Sequence, residues 1–265
     1  MLDKYIHGAA DALVKRRLNN KLTARLEPCL RPDNADQALA IQQALISQMK
    51  DSTGHEVGGW KCALPFSEND LDEMPVAAPI FANTIYDRSP CPVRLDEGVC
   101  KIEPEIAFRF HKDLPSRSEP YIEQEVIAAL SGAHLALELI QNRYLASEEA
   151  SYLEHLGDCL FNQGLFIGPE ITLDQAFSAS EIEFTLTAPS DLSTSTTLAG
   201  KHPNKYPQLP LFWLVNFLSA QGIDIKAGQL VITSSYAGVI EVPPDQEFSL
   251  QYGELGSILL RFEVS

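Results

Sequence analysis

The sequence has no long hydrophobic run. No stretch approaches the roughly 20 consecutive apolar residues that a membrane-spanning helix requires, and the N-terminus lacks the charged and apolar regions of a signal peptide. We therefore expect no membrane partner and a cytoplasmic location.

The sequence also lacks paired cysteines. Its five cysteines are odd in number and scattered, without any C-x-x-C pair. This usage is typical of a reducing compartment, and it argues against a disulfide framework or a structural zinc site.

Basic residues are scarce. The chain carries 20 lysines and arginines against 36 acidic residues, a formal net charge of −16. Because such a surface repels phosphate backbones, nucleic acid is not expected as a partner. An anionic substrate would need local positive charge, and a bound divalent cation is the simplest source.

The apolar pattern predicts an α+β fold with a helical N-terminal segment, residues 1–53, followed by a strand-rich catalytic domain, residues 54–265. The strands do not alternate strictly with helices, which argues against a doubly wound sheet or a TIM barrel. Helices are predicted at 3–19, 34–50 (with Asp33 or Asn34 as N-cap), 121–131, 146–155 and 208–221. Strands are predicted at 56–63, 91–94, 99–110, 133–141, 159–167, 181–187, 228–233 and 256–263, and the Ser/Thr-rich stretch 187–199 as a hairpin or loop tip.

Three glutamates occur in apolar strand patterns. Glu103 and Glu105 would lie on one face of a strand, about 6.8 Å apart, and Glu138 is the only charged residue in the run 133–140. Carboxylates in an apolar setting are costly unless a cation lies between them. Three carboxylates suit a hard, oxygen-preferring cation, Mg²⁺ or Mn²⁺.

Two other interpretations of these residues stay open. Glu103 and Glu105 could face solvent while Glu138 pairs with Arg143 or Arg109. Periodicity alone does not separate this arrangement from a metal site.

The second alternative is a zinc site. The run 133–140 could instead be a helix, with His134 and Glu138 four residues apart on one face. A histidine in an apolar segment is, however, more often a core residue.

Lys61 is the candidate acid–base group. It follows Gly58 and Gly59 within an apolar stretch. A desolvated lysine near a metal would have a lowered pKa, which fits proton transfer near neutral pH. In the alternative, its stem lies on the surface and its ammonium reaches water.

The order of these segments resembles the hydratase/decarboxylase branch of the fumarylacetoacetate hydrolase superfamily. The resemblance rests on G-x-K at 59–61, E-x-E at 103–105, A-L-E at 136–138 and the closing G-S at 256–257. It implies a mixed, rolled and barrel-like β-sheet core with an N-terminal helical portion, usually in a homo-oligomer. It also implies a lyase that acts on a small 2-oxo acid through its enol, with Mg²⁺ or Mn²⁺ on the three glutamates and Lys61 in the active site.

Four further positions are expected to face the substrate by the same resemblance. Val76 stands where the family has an aspartate, and Tyr206 where it has the histidine of G-H-P. Asp158 opens a segment similar to the family's D-N-A-S, and Thr233 matches the threonine of its L-T-G. The metal half of the site is therefore retained, while the substrate-facing half is altered. The alternatives are a catalytically silent homologue that serves as a binding subunit, or a C–C hydrolase.

Overall fold

The computed structural model of the protein describes residues 2–68, 72–188 and 191–265. Its helices are α1 (Leu2–Asn19), α2 (Ala35–Thr53), α3 (Glu123–Ile127), α4 (Tyr152–Gly157), α5 (Leu173–Ser178) and α6 (Gln208–Ala220). Its strands are β1 (Val57–Glu68), β2 (Asp72–Phe81), β3 (Ile85–Tyr86), β4 (Cys91–Val93), β5 (Cys100–Phe110), β6 (Leu130–Ile140), β7 (Asn162–Ile171), β8 (Glu181–Ala188), β9 (Asp191–Lys201), β10 (Leu230–Ile232), β11 (Ile240–Val242), β12 (Glu247–Tyr252) and β13 (Ser257–Val264).

The strands form two sheets. The main sheet has the order β2-β1-β10-β5-β6-β7-β3, with β11 also paired to β5, and it curls into a half-barrel. Its pairs are mixed, because β1 runs parallel to β10 while β5, β6 and β7 are antiparallel neighbours. The second sheet has the order β4-β13-β12-β8-β9. The predicted α+β class is confirmed.

The alternation of side chains along β5 separates the core from the site. Ile102, Ile106 and Phe108 are fully buried in the largest hydrophobic cluster, which also contains residues of the second sheet. Glu103 and Glu105 point to the opposite face, since successive side chains of a strand alternate. This pattern fixes the strand register, because a shift by one residue would bury both carboxylates in the core.

The N-terminal helices cover one end of the main sheet. Helices α1 and α2 pack on each other, on α4 and on β2 through a second hydrophobic cluster. Helix α2 begins after Asn34, whose side chain accepts a hydrogen bond from Gln37 N at 3.0 Å, and ends at Gly54 in the left-handed conformation. Both N-terminal helices are confirmed, whereas the division into domains at residue 53 stays a prediction.

Two predicted helices are wrong in extent. Helix α3 stops at Ile127, because the apolar residues after it enter strand β6 at Leu130. Helix α4 starts only at Tyr152, after a capping box in which Ser151 and Glu154 bond each other's backbone N–H.

The zinc alternative is wrong as well. The run 133–140 belongs to strand β6, so His134 and Glu138 are separated by about 13 Å along the strand. His134 instead lies within hydrogen-bond distance of Gly168 O and Arg109.

The sequence patterns missed β2, β3, β11, β12 and α5. Strand β2 contains Pro75 and Pro79, which argue against a strand, yet β2 lies at a sheet edge where proline is tolerated.

The hairpin predicted at 187–199 is confirmed as the β8–β9 pair, with residues 189–190 outside the described ranges. In the part of the chain that is described, no helix is long and apolar enough to cross a membrane.

Candidate active site

The three predicted glutamates meet in the structure. Pairing of β5 with β6 sets Glu103 directly opposite Glu138 and Glu105 opposite Ala136. One carboxylate oxygen from each glutamate lies within 4.8 Å of the other two. Glu105 and Glu138 are 1% and 0% exposed, and Glu103 is half-buried. The alternative in which Glu103 and Glu105 face open solvent is therefore wrong.

Burial makes this cluster electrostatically costly. Burial raises the pKa of Glu103 to about 7; Lys61 opposes the rise and Glu138 adds to it. Burial, together with the charges of Glu138 and Glu103, raises the pKa of Glu105 well above its ordinary value. Each charged carboxylate raises the energy of the other two. The three together therefore form a donor set that favours a bound cation.

Two hydrogen bonds orient the carboxylates. Asn162 Nδ2 donates to Glu138 Oε1 at 2.8 Å, and Ser234 N–H donates to Glu105 Oε2 at 2.8 Å. Ser234 has a φ of 98°, a backbone conformation that turns its N–H toward Glu105. Neither residue was predicted from the sequence as part of the site. Such partners fix ligand orientation at metal sites.

Lys61 lies against the glutamates. Its Nζ is 2.7 Å from Glu138 Oε2 and donates to Leu160 O at 3.1 Å, and only 13% of its side chain is exposed. The alternative in which its ammonium reaches water is therefore wrong. Burial alone would lower the pKa of Lys61, but the three carboxylates outweigh burial and raise that pKa. The lowering expected for a lysine beside a bound metal stays a prediction.

The carbonyl that receives Lys61 belongs to a left-handed turn. Cys159, Leu160 and Phe161 have φ values of 64°, 48° and 64°. Such a backbone costs about 1–2 kcal/mol for each non-glycine residue. Burial of Cys159 and Leu160, and stacking of Phe161 on His155 with ring centroids 4.1 Å apart, offset this cost. The strand predicted at 159–167 therefore starts only after the turn.

A cavity of about 700 Å³ opens over the cluster. Apolar side chains form part of its wall, and charged and amide side chains form the rest. Its lining consists of Lys61, Val76, Asp96, Lys101, Glu103, Ile140, Asn142, Leu160, Phe161, Val239 and Glu241. Both lining lysines are paired with carboxylates, Lys101 with Glu97 at 2.8 Å. An anionic substrate would therefore need additional positive charge.

Only one of the four expected substrate-facing residues lies on this cavity, namely Val76. Asp158 is buried elsewhere, with its Oδ2 2.9 Å from Arg143 Nε. Tyr206 is 36% exposed in the turn before α6, where the Lys205 ammonium lies over its ring. Asp158 and Tyr206 therefore do not line the cavity.

Thr233 is buried at the end of β10, next to a histidine that the sequence analysis missed. Thr233 Oγ1 has no hydrogen-bond partner within the described residues. His202 Nε2 donates to Thr233 O at 2.7 Å, while its Nδ1 accepts from Asn204 N–H at 3.2 Å. Burial lowers the pKa of His202 to about 4. The His-Pro pair at 202–203, rather than Tyr206, was the signal available in the sequence.

Similarity to known proteins extends over nearly the whole chain. No family model matches. The chain is 24% identical over 259 residues to a 2-keto-4-pentenoate hydratase of Paraburkholderia xenovorans, covering 96% of this chain and 94% of the relative. It is 23% identical over 265 residues to a 2-keto-4-pentenoate hydratase of Burkholderia vietnamiensis, covering 98% of both.

Solved structures share the fold. A 4-oxalocrotonate decarboxylase from Pseudomonas putida G7, complexed with magnesium and adipate, superimposes with a TM-score of 0.78 at 18% identity over 98% of both chains. A putative fumarylacetoacetate hydrolase family protein from Yersinia pestis gives 0.52 at 18% identity over 79% of this chain and 94% of that one. The chain therefore resembles 2-keto-4-pentenoate hydratases along its whole length and shares its fold with a 4-oxalocrotonate decarboxylase, which confirms the predicted resemblance to the hydratase/decarboxylase branch of the fumarylacetoacetate hydrolase superfamily.

Proposed function

We propose that this protein is a metal-dependent lyase that acts on a small 2-oxo acid through its enol, as a hydratase or a decarboxylase. The observation that carries the proposal is the contact of Lys61 with a cluster of three buried or half-buried carboxylates beneath an open cavity. The 2-keto-4-pentenoate hydratases that resemble the chain along its length support the same reaction class.

The residues present fit a divalent cation. Glu103, Glu105 and Glu138 offer hard oxygen donors, and each carboxylate raises the energy of the others when it is charged. Bound there, Mg²⁺ or Mn²⁺ would supply Lewis-acid stabilisation of the negative charge that develops on an enolate. The same cation would reverse the local negative potential that an anionic substrate otherwise meets.

Lys61 is the group placed to move a proton. Its Nζ donates one hydrogen bond to Leu160 O and forms an ion pair with Glu138, so the ammonium keeps donor capacity for a substrate atom. The contact with Leu160 O fixes the direction of the ammonium. A positioned acid–base group of this kind contributes about 10²–10⁴-fold to rate.

The apolar wall bears on substrate choice. Val76, Leu160, Phe161 and Val239 form an apolar part of the cavity wall, which offers no side-chain hydrogen bond to a substrate group that faces it. We therefore expect a substrate less polar than those of relatives that carry an aspartate in place of Val76.

Retention of Lys61 and all three glutamates in contact argues against a silent binding subunit. The homo-oligomer, the cytoplasmic location and the lack of nucleic-acid and membrane partners stay predictions.

The proposal is tested with purified protein and Mg²⁺ or Mn²⁺. Exchange of the C3 hydrogens of 2-oxopentanoate with deuterated water, followed by NMR, reports enolisation whatever the later step. Parallel assays with 2-hydroxypentadienoate and 4-oxalocrotonate separate hydratase from decarboxylase. Absence of exchange with either metal, at protein concentrations where the fold is intact by circular dichroism, would exclude the proposed lyase.

A further inference from the structure

Three arginines line a smaller cavity, separate from the one at the glutamates. Two of them, Arg17 and Arg143, also contact the turn at residues 158–162. The cavity measures about 180 Å³, and we call it the arginine pocket, after Arg17, Arg94 and Arg143 in its lining. Helix α1 supplies Arg17, and the segments after β4 and β6 supply Arg94 and Arg143. Among the described residues that complete its lining, none carries an acidic side chain.

The charges at this pocket do not balance. Asp158 is the one carboxylate paired with these arginines within the described residues, at 2.9 Å from Arg143 Nε and 3.6 Å from Arg17 Nη2. Arg94 has no carboxylate partner in the same ranges, and its Nη1 donates to Arg17 O at 2.6 Å. Three cationic side chains therefore face one acidic side chain within the described residues, in a chain whose formal net charge is −16.

Burial makes this excess positive charge costly. Arg17 is 8% exposed, and its Nε is buried without a hydrogen-bond partner in the described part of the chain. Burial and the charges of Arg143 and Arg94 lower the pKa of Arg17, and burial lowers that of Arg94. Buried charges are normally paired, so a missing anion is the simplest way to balance the pocket.

A purely structural role accounts for two of the three arginines. Arg17 and Arg143 both donate to the carbonyl oxygens of Asp158 and Asn162, and so hold the two ends of the left-handed turn. Arg94 makes no such contact with the turn. Its Nε and Nη2 have no partner among the contacts of the described residues, and Arg94 lines the pocket.

We propose that the arginine pocket binds a small oxyanion, a phosphate or a short carboxylate. The planar guanidinium of Arg94 would supply paired N–H donors, and Arg17 and Arg143 would supply the surrounding positive potential. The pocket is separate from the carboxylate cluster, which would repel an anion in the absence of a metal. This proposal stands independently of the proposed lyase activity.

Calorimetric titration of the EDTA-treated full chain with sodium phosphate, at constant ionic strength, tests the proposal. We expect one phosphate per chain and a melting temperature that rises with phosphate. Arg94→Gln should weaken binding at least 10-fold, whereas Arg88→Gln, which removes the same charge from an exposed side chain, should leave it unchanged. Arg94→Lys keeps the charge without the planar donors and should bind with intermediate affinity.

A second titration with sodium succinate distinguishes the two sources of the oxyanion, because the tighter ligand identifies the group that the pocket prefers. Failure of both anions to bind up to 50 mM, or equal weakening by Arg94→Gln and Arg88→Gln, would overturn the proposal. A third outcome would also overturn it: no anion binds, and Arg94→Gln dissociates an oligomer in light scattering. An acidic side chain of a second copy would then occupy the pocket.

Discussion

Lys61 Nζ and Glu138 Oε2 lie 2.7 Å apart, so the proposed proton carrier and a proposed metal ligand form one ion pair. The lysine therefore partly neutralises the cluster, and a cation that binds there competes with it for the same carboxylate. Catalysis and metal affinity should consequently respond to Lys61 in opposite directions.

Replacing Lys61 with methionine should separate these two effects. We expect C3 exchange of 2-oxopentanoate to fall by about 10²–10⁴-fold, because the acid–base group is lost. Affinity for Mg²⁺ should stay the same or increase, since one positive charge leaves the cluster. Lys101→Met, at the other lysine of the cavity, is the control and should retain most of the exchange activity. Loss of metal binding in the Lys61 variant would show that Lys61 is structural.

Metal binding should stabilise the fold through the glutamates. A ligand that binds only the folded state stabilises it by about 2.7 kcal/mol at 100 times its Kd. We expect the melting temperature to rise with millimolar Mg²⁺ or Mn²⁺ and to fall with EDTA. Glu105→Gln should respond much less, although its metal-free form should melt higher than the parent because one repelling charge is gone. Exposed Glu119→Gln is the matched control, and an equal metal response in both variants would place the cation elsewhere.

Val76 should limit hydratase activity. It lies on the cavity at the position where the family carries an aspartate, so Val76→Asp should raise turnover of 2-hydroxypentadienoate. Steady-state rates at saturating Mg²⁺ provide the measurement. Val239→Asp adds the same group at another point of the cavity wall and should give no gain. If neither variant gains activity, the aspartate is not what limits the reaction.

His202 should make stability depend on pH. Burial lowers its pKa from 6.5 to about 4, so between these values the unfolded chain binds more protons than the folded one. The free energy of unfolding should therefore decrease as pH falls from 6.5 to 4, by up to about 3 kcal/mol from this residue. Urea denaturation at a series of pH values measures it. His202→Gln should flatten the dependence of the unfolding free energy on pH, whereas His111→Gln, at an exposed histidine, should leave it unchanged. The same pH dependence in the parent and in both variants would rule out His202 as its source.

The strand pattern marked Glu103, Glu105 and Glu138 as candidates for one carboxylate cluster, because each interrupts an apolar strand, but the pattern alone did not exclude a solvent-facing arrangement. Their pairing across β5 and β6 could not be read from the sequence, since it depends on a register set by contacts far apart in the chain. The partners Asn162 and Ser234 were missed for the same reason. Ser234 reaches Glu105 through a positive-φ backbone, and Asn162 directly follows the left-handed turn at 159–161; no local pattern indicates either conformation.

Asp158 shows the limit of reasoning from motif similarity. Its segment resembles a substrate-facing one, yet the carboxylate pairs with Arg143 and Arg17 instead of lining the cavity. These arginines lie 15 and 141 residues away along the chain. Long-range pairing of this kind is decided by packing, which the sequence does not display.

The left-handed turn at 159–161 connects the active site to the last stages of folding. Arg17 of helix α1 holds both ends of the turn, at Asp158 O and Asn162 O, while the turn presents Leu160 O to Lys61. A backbone that is unfavourable by itself persists only while such tertiary contacts are in place. Arg143, from the segment after β6, holds the same two carbonyl oxygens. Detachment of α1 should therefore remove half of these contacts, loosen the turn and lower the activity before the main sheet opens. Hydrogen exchange would then show residues 155–163 losing protection together with α1, at denaturant concentrations where β5 and β6 remain protected.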